Sequence, residues 1–341
     1  MTDPVLGWDI GGANVKAALV SALGDLRVVE RPFALWREPR DLPRVLREIA
    51  GTLGGGMRRM AVTMTAELAD CFATKGEGVA SVLDAFDLAF PGAQPRVFGV
   101  DGRFRSGDAA RARPLRVAAA NWMASAMLVA EGTPDALFVD VGSTTTDVIP
   151  IVAGRVAPRG RTDVARLRSG ELVYTGLLRT PVCAIVRSLP VRGRRCRVAA
   201  EGFAIAADAH RWLGHIAEGD YDCDTPDGRG RSRAEAGARL ARMVCADAAT
   251  LGPDGVTAIA EAVVEAQVRA IAKAIAQVMQ RRGDSCPRLA VLAGQGTLLG
   301  RLAAEQAGVA SCTLGERFGP GAARALPAAA VAILLARESG A

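Results

Sequence analysis

The chain has 341 residues, half of them hydrophobic and 23% charged, with a net charge of +6. That length exceeds the roughly 250–300 residues that one core usually serves, so two domains are expected. Only 4% of residues are aromatic and no apolar run reaches the ~18 residues of a membrane span, which argues against a base-stacking nucleic-acid platform and a membrane helix.

Residues 5–35 read as three strands, Val5–Trp8, Val15–Ser21 and Leu26–Leu35. The apolar positions Leu42, Val45, Leu46, Ile49 and Leu53 predict an amphipathic helix over Arg40–Leu53, stopped at Gly54-Gly55-Gly56. Met57–Thr65 reads as a fourth strand, Gly78–Phe90 as a helix, Arg96–Val100 as a short strand, and Ala109–Glu131 contains a third helix. The pattern then restarts with a hairpin formed by Ala136–Pro150 and Arg155-Val156. Glu171–Tyr174 follows, then helices at Ala200–Leu213, Arg229–Met243 and Val256–Gln280, the last with a continuous apolar face that reads as core packing. Arg288–Ala293 is a buried strand, Gly294-Gln295-Gly296-Thr297 a glycine-rich turn before a helix, and Pro327–Ala336 a closing helix. The expected fold class is α/β, a two-lobed RNase H-like fold with a cleft between lobes. The lobes are expected at residues 1–133 and 134–341, with the last helix returning to the first lobe.

Two turns carry the chemistry: Asp9-Ile10-Gly11-Gly12-Ala13-Asn14-Val15-Lys16 and Asp140-Val141-Gly142-Ser143-Thr144-Thr145-Thr146-Asp147. Each follows an apolar strand. Glycines let the backbone approach an anion, N–H groups and hydroxyls meet phosphate oxygens, and an aspartate can hold Mg²⁺. Diphosphate-binding candidates are therefore Gly11, Gly12, Asn14, Lys16, Gly142, Ser143, Thr144 and Thr145, with Gly294, Gln295 and Gly296 of the third turn. Asp9 and Asp140 are the expected metal ligands. Of 42 basic residues only Lys16, Lys75 and Lys273 are lysines, and the first two lie in candidate motifs. A compact ammonium and a guanidinium are not interchangeable at a phosphate.

Other polar clusters invite plainer readings. The seven cysteines, at 71, 183, 196, 223, 245, 286 and 312, form no Cys-x-x-Cys pair, which points to reduced thiols and a cytoplasmic protein. His210 and His215 are five apart and do not share a helical face as a metal pair would. Asp220-Tyr221-Asp222-Cys223-Asp224 reads as an acidic loop, and Arg187–Arg197 as a solvated face or a dock for an acidic substrate tail.

The two phosphate turns and the third glycine turn resemble those of the acetate and sugar kinase, Hsp70 and actin superfamily. More narrowly, the chain resembles the hydantoinase/oxoprolinase branch, and within it the tetrahydromethanopterin-linked C1-transfer group that includes the ether-forming synthase of methanofuran biosynthesis. The specific stretches are Glu67-Leu68-Ala69-Asp70-Cys71-Phe72 and Glu171-Leu172-Val173-Tyr174-Thr175-Gly176, with Asn121-Trp122 and Asp224-Thr225-Pro226-Asp227-Gly228-Arg229. Ala66 stands where the resemblance leads one to expect glycine. The resemblance implies that an aminomethylfuran bearing a CH₂-diphosphate is joined to the phenol of a tyramine-type acceptor, with release of pyrophosphate. It also implies Mg²⁺ as cofactor. Lys16, Glu67, Asp70, Lys75 and Asp147 are then the catalytic candidates, and Asn121, Trp122, Glu171 and Tyr174 the substrate-binding ones. The partners expected are small-molecule diphosphate and phenolic substrates, with neither nucleic acid nor membrane; a homodimer is compatible. An ATP-dependent small-molecule kinase with Asp147 as base, and a nucleotide-regulated actin-like scaffold, fit the same phosphate turns. A ring-opening lactamase subunit fits less well, because such chains are longer.

Overall fold

The computed structural model describes residues 3–56, 59–281, 287–318 and 325–338. Cys286 and the first two positions of the strand expected from Met57 lie outside the described residues. The chain forms two compact units, Met1–Ala136 with Ile151–Arg166 and Leu314–Ala341, and Leu137–Pro150 with Leu167–Thr313.

The first sheet contains β1 (Val5–Ile10), β2 (Asn14–Val20), β3 (Leu26–Pro32), β4 (Arg59–Met64), β5 (Arg96–Phe98) and β6 (Phe104–Arg105), in the order β3-β2-β1-β4-β5-β6. β4 lies parallel to both β1 and β5, and the other pairs are antiparallel. The second sheet contains β7 (Ala136–Val141), β8 (Thr146–Val152), β9 (Arg155–Val156), β10 (Leu172–Val173), β13 (Leu289–Ala293) and β14 (Ala310–Thr313). Its order, β10-β8-β7-β13-β14 with β9 beside β8, places two antiparallel strands and then two parallel ones just as the first sheet does. Each unit thus repeats one α/β topology. β11 (Ser188–Val191) and β12 (Arg194–Arg197) form a separate hairpin that the basic stretch did not suggest.

In the first unit, the apolar stripe of α1 (Leu42–Thr52) and the face of α2 (Lys75–Ala89) cover one side of the sheet. Trp8 meets Phe86 edge-on with ring centroids 5.7 Å apart. The expected third helix divides into α3 (Gly107–Ala112) and α4 (Asn121–Gly132). The closing helix, Leu326–Glu338, packs on β1, where a Cβ at Gly7 would lie 2.0 Å from the Ala328 carbonyl oxygen. That close approach accounts for the glycine between Leu6 and Trp8.

In the second unit, α5 to α8 are Asp163–Ser169, Val182–Ile185, Ala206–Trp212 and Arg233–Arg242; α5 straddles the boundary between units. α9 (Ala248–Gln280) starts eight residues before the expected Val256, with a break at Gly252 ahead of Pro253. Proline at a helix start needs no N–H, so its ring suits the kink. α10 is Thr297–Gln306 and α11 Leu314–Phe318, which makes the closing helix α12. Among the described residues no helix is long and apolar enough to cross a membrane.

Candidate active site

In the first unit, the turn between β1 and β2 closes with the Gly11 N–H donating to the Asn14 carbonyl at 3.0 Å. Leu35 N–H donates to the Gly12 carbonyl at 3.0 Å, and Phe33 N–H to that of Ala13 at 2.9 Å. In a planar trans peptide the N–H points opposite to the C=O, so the amides of Ala13 and Asn14 turn away from residues 33–35. They form the donor edge an anion needs.

Beside this turn, Asp9 lies in register with Lys16 on β2 and with Thr63 on β4. Asp9 is buried, and its Oδ1 has no hydrogen-bond partner; nor has the buried Thr63 Oγ1. Burial pushes the Asp9 carboxyl up to about 6, opposed by the Lys16 charge and helped by Glu30. Lys16 reaches across to Glu30 at 3.2 Å and is about a quarter exposed, so it is an ion-paired strand residue and not a solvated one.

A second cluster in this unit follows β4. Glu67, in the short turn Ala66–Leu68, is 1% exposed, and its Oε2 has no hydrogen-bond partner. Burial raises its carboxyl to about 7, against the opposing charge of Lys75. Lys75 Nζ stands 3.7 Å from Glu67 Oε1 and 2.5 Å from Asp163 Oδ2. Lys75 is the first residue of α2 and not part of the preceding loop; the cap is Thr74, whose hydroxyl accepts from the Glu77 N–H at 3.1 Å. Glu67 is therefore not a helix cap. Gly78 presses on the Glu67 backbone, where a Cβ would come within 2.4 Å of the Glu67 carbonyl oxygen, so the cluster tolerates nothing larger at that position. Close by, the buried Arg166 guanidinium lies 4.3 Å from the centre of the Trp122 ring, at the start of α4.

The second unit repeats the turn. Gly142 N–H donates to the Thr145 carbonyl at 2.9 Å, the same closure as in the first loop. Leu177 N–H donates to the Gly142 carbonyl at 2.9 Å, and the Leu178 and Arg179 N–H groups to that of Ser143 at 3.0 and 2.9 Å. By peptide planarity the Ser143 and Thr144 N–H groups face away from residues 177–179. Ser143, Thr144 and Thr145 are partly exposed, as a ligand loop requires.

Asp140, at the end of β7, pairs in register with Ala293, and Gly296 N–H donates to the Val141 carbonyl at 2.9 Å. The third glycine turn is thereby fastened to the segment that leads into the Gly142–Thr145 turn. Gly294 has φ +82°, and a Cβ there would lie 2.3 Å from the Val141 oxygen and 2.4 Å from Asp140 Oδ1. Gly294→Ala is accordingly expected to cost at least ~2 kcal/mol of stability and to displace Asp140. A thermal melt within 1 °C of the parent would contradict that.

The remaining sequence candidates are dispersed. Asp70 and Tyr174 are exposed, Tyr174 at 62%. Glu171 is buried and accepts from the Ser169 hydroxyl at 2.8 Å. Asp147 pairs with Leu172 in the strand register. Asn121 begins α4, where its carbonyl accepts from Ser125 Oγ. Gln295 reaches Asp222 only at 3.5 Å, the outer limit of a hydrogen bond. In the Asp224–Arg229 stretch, Asp227 binds Arg239 Nη1 and Arg242 Nη1, both at 3.1 Å, and Arg239 also holds the buried Asp208 at 2.8 Å. That stretch serves a buried ion network. Asp163 and Arg166 were not foreseen from sequence; an Asp-x-x-Arg pair just before the Glu171 stretch was the available signal.

Residues 58–337 match the family described as hydantoinase/oxoprolinase. Two curated relatives share the name (4-{4-[2-(gamma-L-glutamylamino)ethyl]phenoxymethyl}furan-2-yl)methanamine synthase. The one from Methanocaldococcus jannaschii is 40% identical over 244 residues, 71% of this chain and 72% of its own. The one from Methanococcus vannielii is 40% identical over 118 residues, 35% of this chain and 53% of its own. Among solved structures, nucleotide-free acetone carboxylase aligns with a TM-score of 0.58 at 12% identity, over 98% of this chain and 70% of its own. Component A of the (R)-2-hydroxyglutaryl-CoA dehydratase of Acidaminococcus fermentans aligns with a TM-score of 0.51 at 11% identity, over 99% of both chains. At such identities these two bear on the fold alone, and it is the two-lobed RNase H-like, actin-like fold expected from the sequence.

Proposed function

The chain belongs to the hydantoinase/oxoprolinase family, and on that premise we propose that it catalyses the reaction for which its 40%-identical relatives are named. An aminomethylfuran carrying a CH₂-diphosphate is coupled to the phenol of a tyramine-type acceptor, and the ether product leaves with pyrophosphate. The observation that carries this reading is the Glu67 cluster. A phenol with pKa near 10 needs a base, and a general base works best with a pKa near the working pH. Glu67, held at about 7 with a bare Oε2, has that property and takes the phenol proton as the C–O bond forms. Lys75, fixed by Asp163, stabilises the phenolate as it develops.

The diphosphate leaves when its charge is met by preorganised donors. In the first unit the outward N–H edge of the loop and the Lys16 ammonium are suited to that task, and the furan ring delocalises positive charge at the CH₂ carbon. Mg²⁺ suits the residues present in one respect: Asp9 Oδ1 is buried without a partner. Mg²⁺ is usually held by one or two carboxylates together with substrate phosphates and water. Asp9 is assigned to it in the first unit, and Asp140 holds the equivalent strand position in the second; the ion would supply charge neutralisation of the departing diphosphate. The six described cysteines are free thiols, in keeping with a cytoplasmic enzyme.

The test is pyrophosphate release from purified protein supplied with the furan diphosphate and, in turn, tyramine, tyrosine and γ-glutamyltyramine. Turnover is expected without ATP, because the diphosphate arrives on the substrate. Strict dependence on ATP, with ADP as product, would transfer the assignment to the kinase reading.

A further inference from the structure

Helix α9 buries an almost continuous apolar face, Val256, Ile259, Val263, Val264, Val268, Ile271 and Ile275, interrupted by one fully buried amide, Gln267. A buried amide in such a face costs stability unless every polar atom is bonded. Gln267 Nε2 donates to the Gly176 carbonyl and to Thr175 Oγ1, both at 2.8 Å, and its Oε1 faces His210 Nε2 at 3.1 Å. Because a carbonyl only accepts, the atom facing Gly176 is the NH₂, which leaves Oε1 as the acceptor for His210. His210 therefore carries its proton on Nε2, and its bare Nδ1 accepts from His215 Nδ1–H at 3.1 Å. Burial lowers the His210 imidazole to about 4, which keeps it neutral and the chain of bonds in this sense.

The far end of this chain is the second phosphate loop. Gly176 lies directly against that loop, where a Cβ would come within 2.6 Å of Gly142 O, Ser143 C and Thr144 N. The next three residues supply the N–H groups that hold the Gly142 and Ser143 carbonyls. Thr146, at the exit of the loop, donates its hydroxyl to the Thr175 carbonyl at 2.8 Å, and Gly176 N–H donates to Thr180 Oγ1 at 3.1 Å. Thr175 and Gly176 form a saddle on which the loop rests. Thr146 ties that saddle to the loop itself, and Gln267, 91 residues from Gly176, clamps it from helix α9.

We infer that Gln267, oriented by the His215–His210 pair, is a positioning residue that sets the Ser143 and Thr144 N–H groups for the diphosphate through Thr175 and Gly176. The inference rests on the diphosphate reading of the loop. A residue that only filled the core would be replaceable by an apolar side chain of equal length without effect on anion binding.

The experiment compares wild type with Gln267→Met, which keeps the volume and removes the amide, and with Thr175→Val, which removes only the hydroxyl contact. Binding of inorganic pyrophosphate is measured by calorimetry, KM is determined separately for the diphosphate and the phenol, and thermal melts are recorded alongside. Gln267→Met is expected to weaken pyrophosphate binding roughly tenfold and to raise the KM of the diphosphate in parallel, about 1.4 kcal/mol. Thr175→Val should give a smaller shift in the same direction, and the KM of the phenol should stay within twofold for both. If Gln267→Met does not fold, Thr175→Val carries the test. Variants that melt lower yet bind pyrophosphate as wild type does overturn the inference alone. Wild-type protein that binds no pyrophosphate overturns the diphosphate reading and this inference with it.

Discussion

Glu67→Gln is expected to lower kcat/KM by roughly 10²–10⁴-fold, the usual contribution of a general base, and at the same time to raise the melting temperature at pH 8. Both effects follow from one fact. The Glu67 carboxyl sits at about 7 in the folded protein against 4.5 ordinarily, because burial disfavours its charge more than Lys75 restores it. Between those values the folded protein holds a proton that the unfolded chain has released. Stability therefore falls as pH rises from 4.5 to about 7 and remains lowered above that range, by a penalty on the order of 3 kcal/mol. A neutral amide removes the penalty at pH 8 and the base along with it. In wild type, kcat/KM should fall as pH drops through about 7, where the base takes up its proton. A Glu67→Gln enzyme that keeps the same acid limb would place the base elsewhere, while a lower melting temperature at pH 8 would refute the buried-charge account.

Lys16→Met is expected to reduce kcat by roughly 10²–10³-fold, the typical loss on removing one preorganised electrostatic contact. Lys16 lies opposite Asp9 in the β1–β2 register and pairs with Glu30 at 3.2 Å, so its ammonium is held in place beside the first phosphate turn. Its removal also takes away the charge that restrains the Asp9 carboxyl, whose pKa should then rise above about 6. The Asp9 carboxylate would become a poorer cation ligand near neutral pH, a second loss in the same direction. Lys16→Arg should not restore the full rate, because a planar fork does not replace a compact ammonium at this register position. Were Lys16 only a surface cation, both variants would change stability by less than ~0.5 kcal/mol and leave the rate alone. Steady-state pyrophosphate release from the two variants separates these outcomes.

Much of the candidate site's backbone was legible because it is built locally. Gly11 to Asn14 and Gly142 to Thr145 close on themselves across three residues, and turn chemistry of that range is written in adjacent side chains. The stop after Leu53, the strands flanking both turns and the α2 region follow from periodicity for the same reason. Helix starts were less legible. Lys75 and Ala248 begin helices ahead of the first strongly apolar positions, because the caps Thr74 and Asp247 fix those ends.

The sequence by itself determined the two glycine turns, the aspartates before them and the lysine after the first, since strand alternation and glycine conformation act over a few residues. Tertiary structure alone decided what those residues experience. It brought Asp163 to Lys75 across 88 positions and left Glu67 Oε2 bare in a buried site, which is why a carboxyl of ordinary acidity in the sequence is pushed up to about 7. It joined residues 151–166 to the first unit. It also gave Gln267, one polar position on an apolar helix face, bonding partners in Thr175 and Gly176, 92 and 91 positions earlier. Burial and charge coupling depend on which distant segments pack together, and no local pattern encodes that.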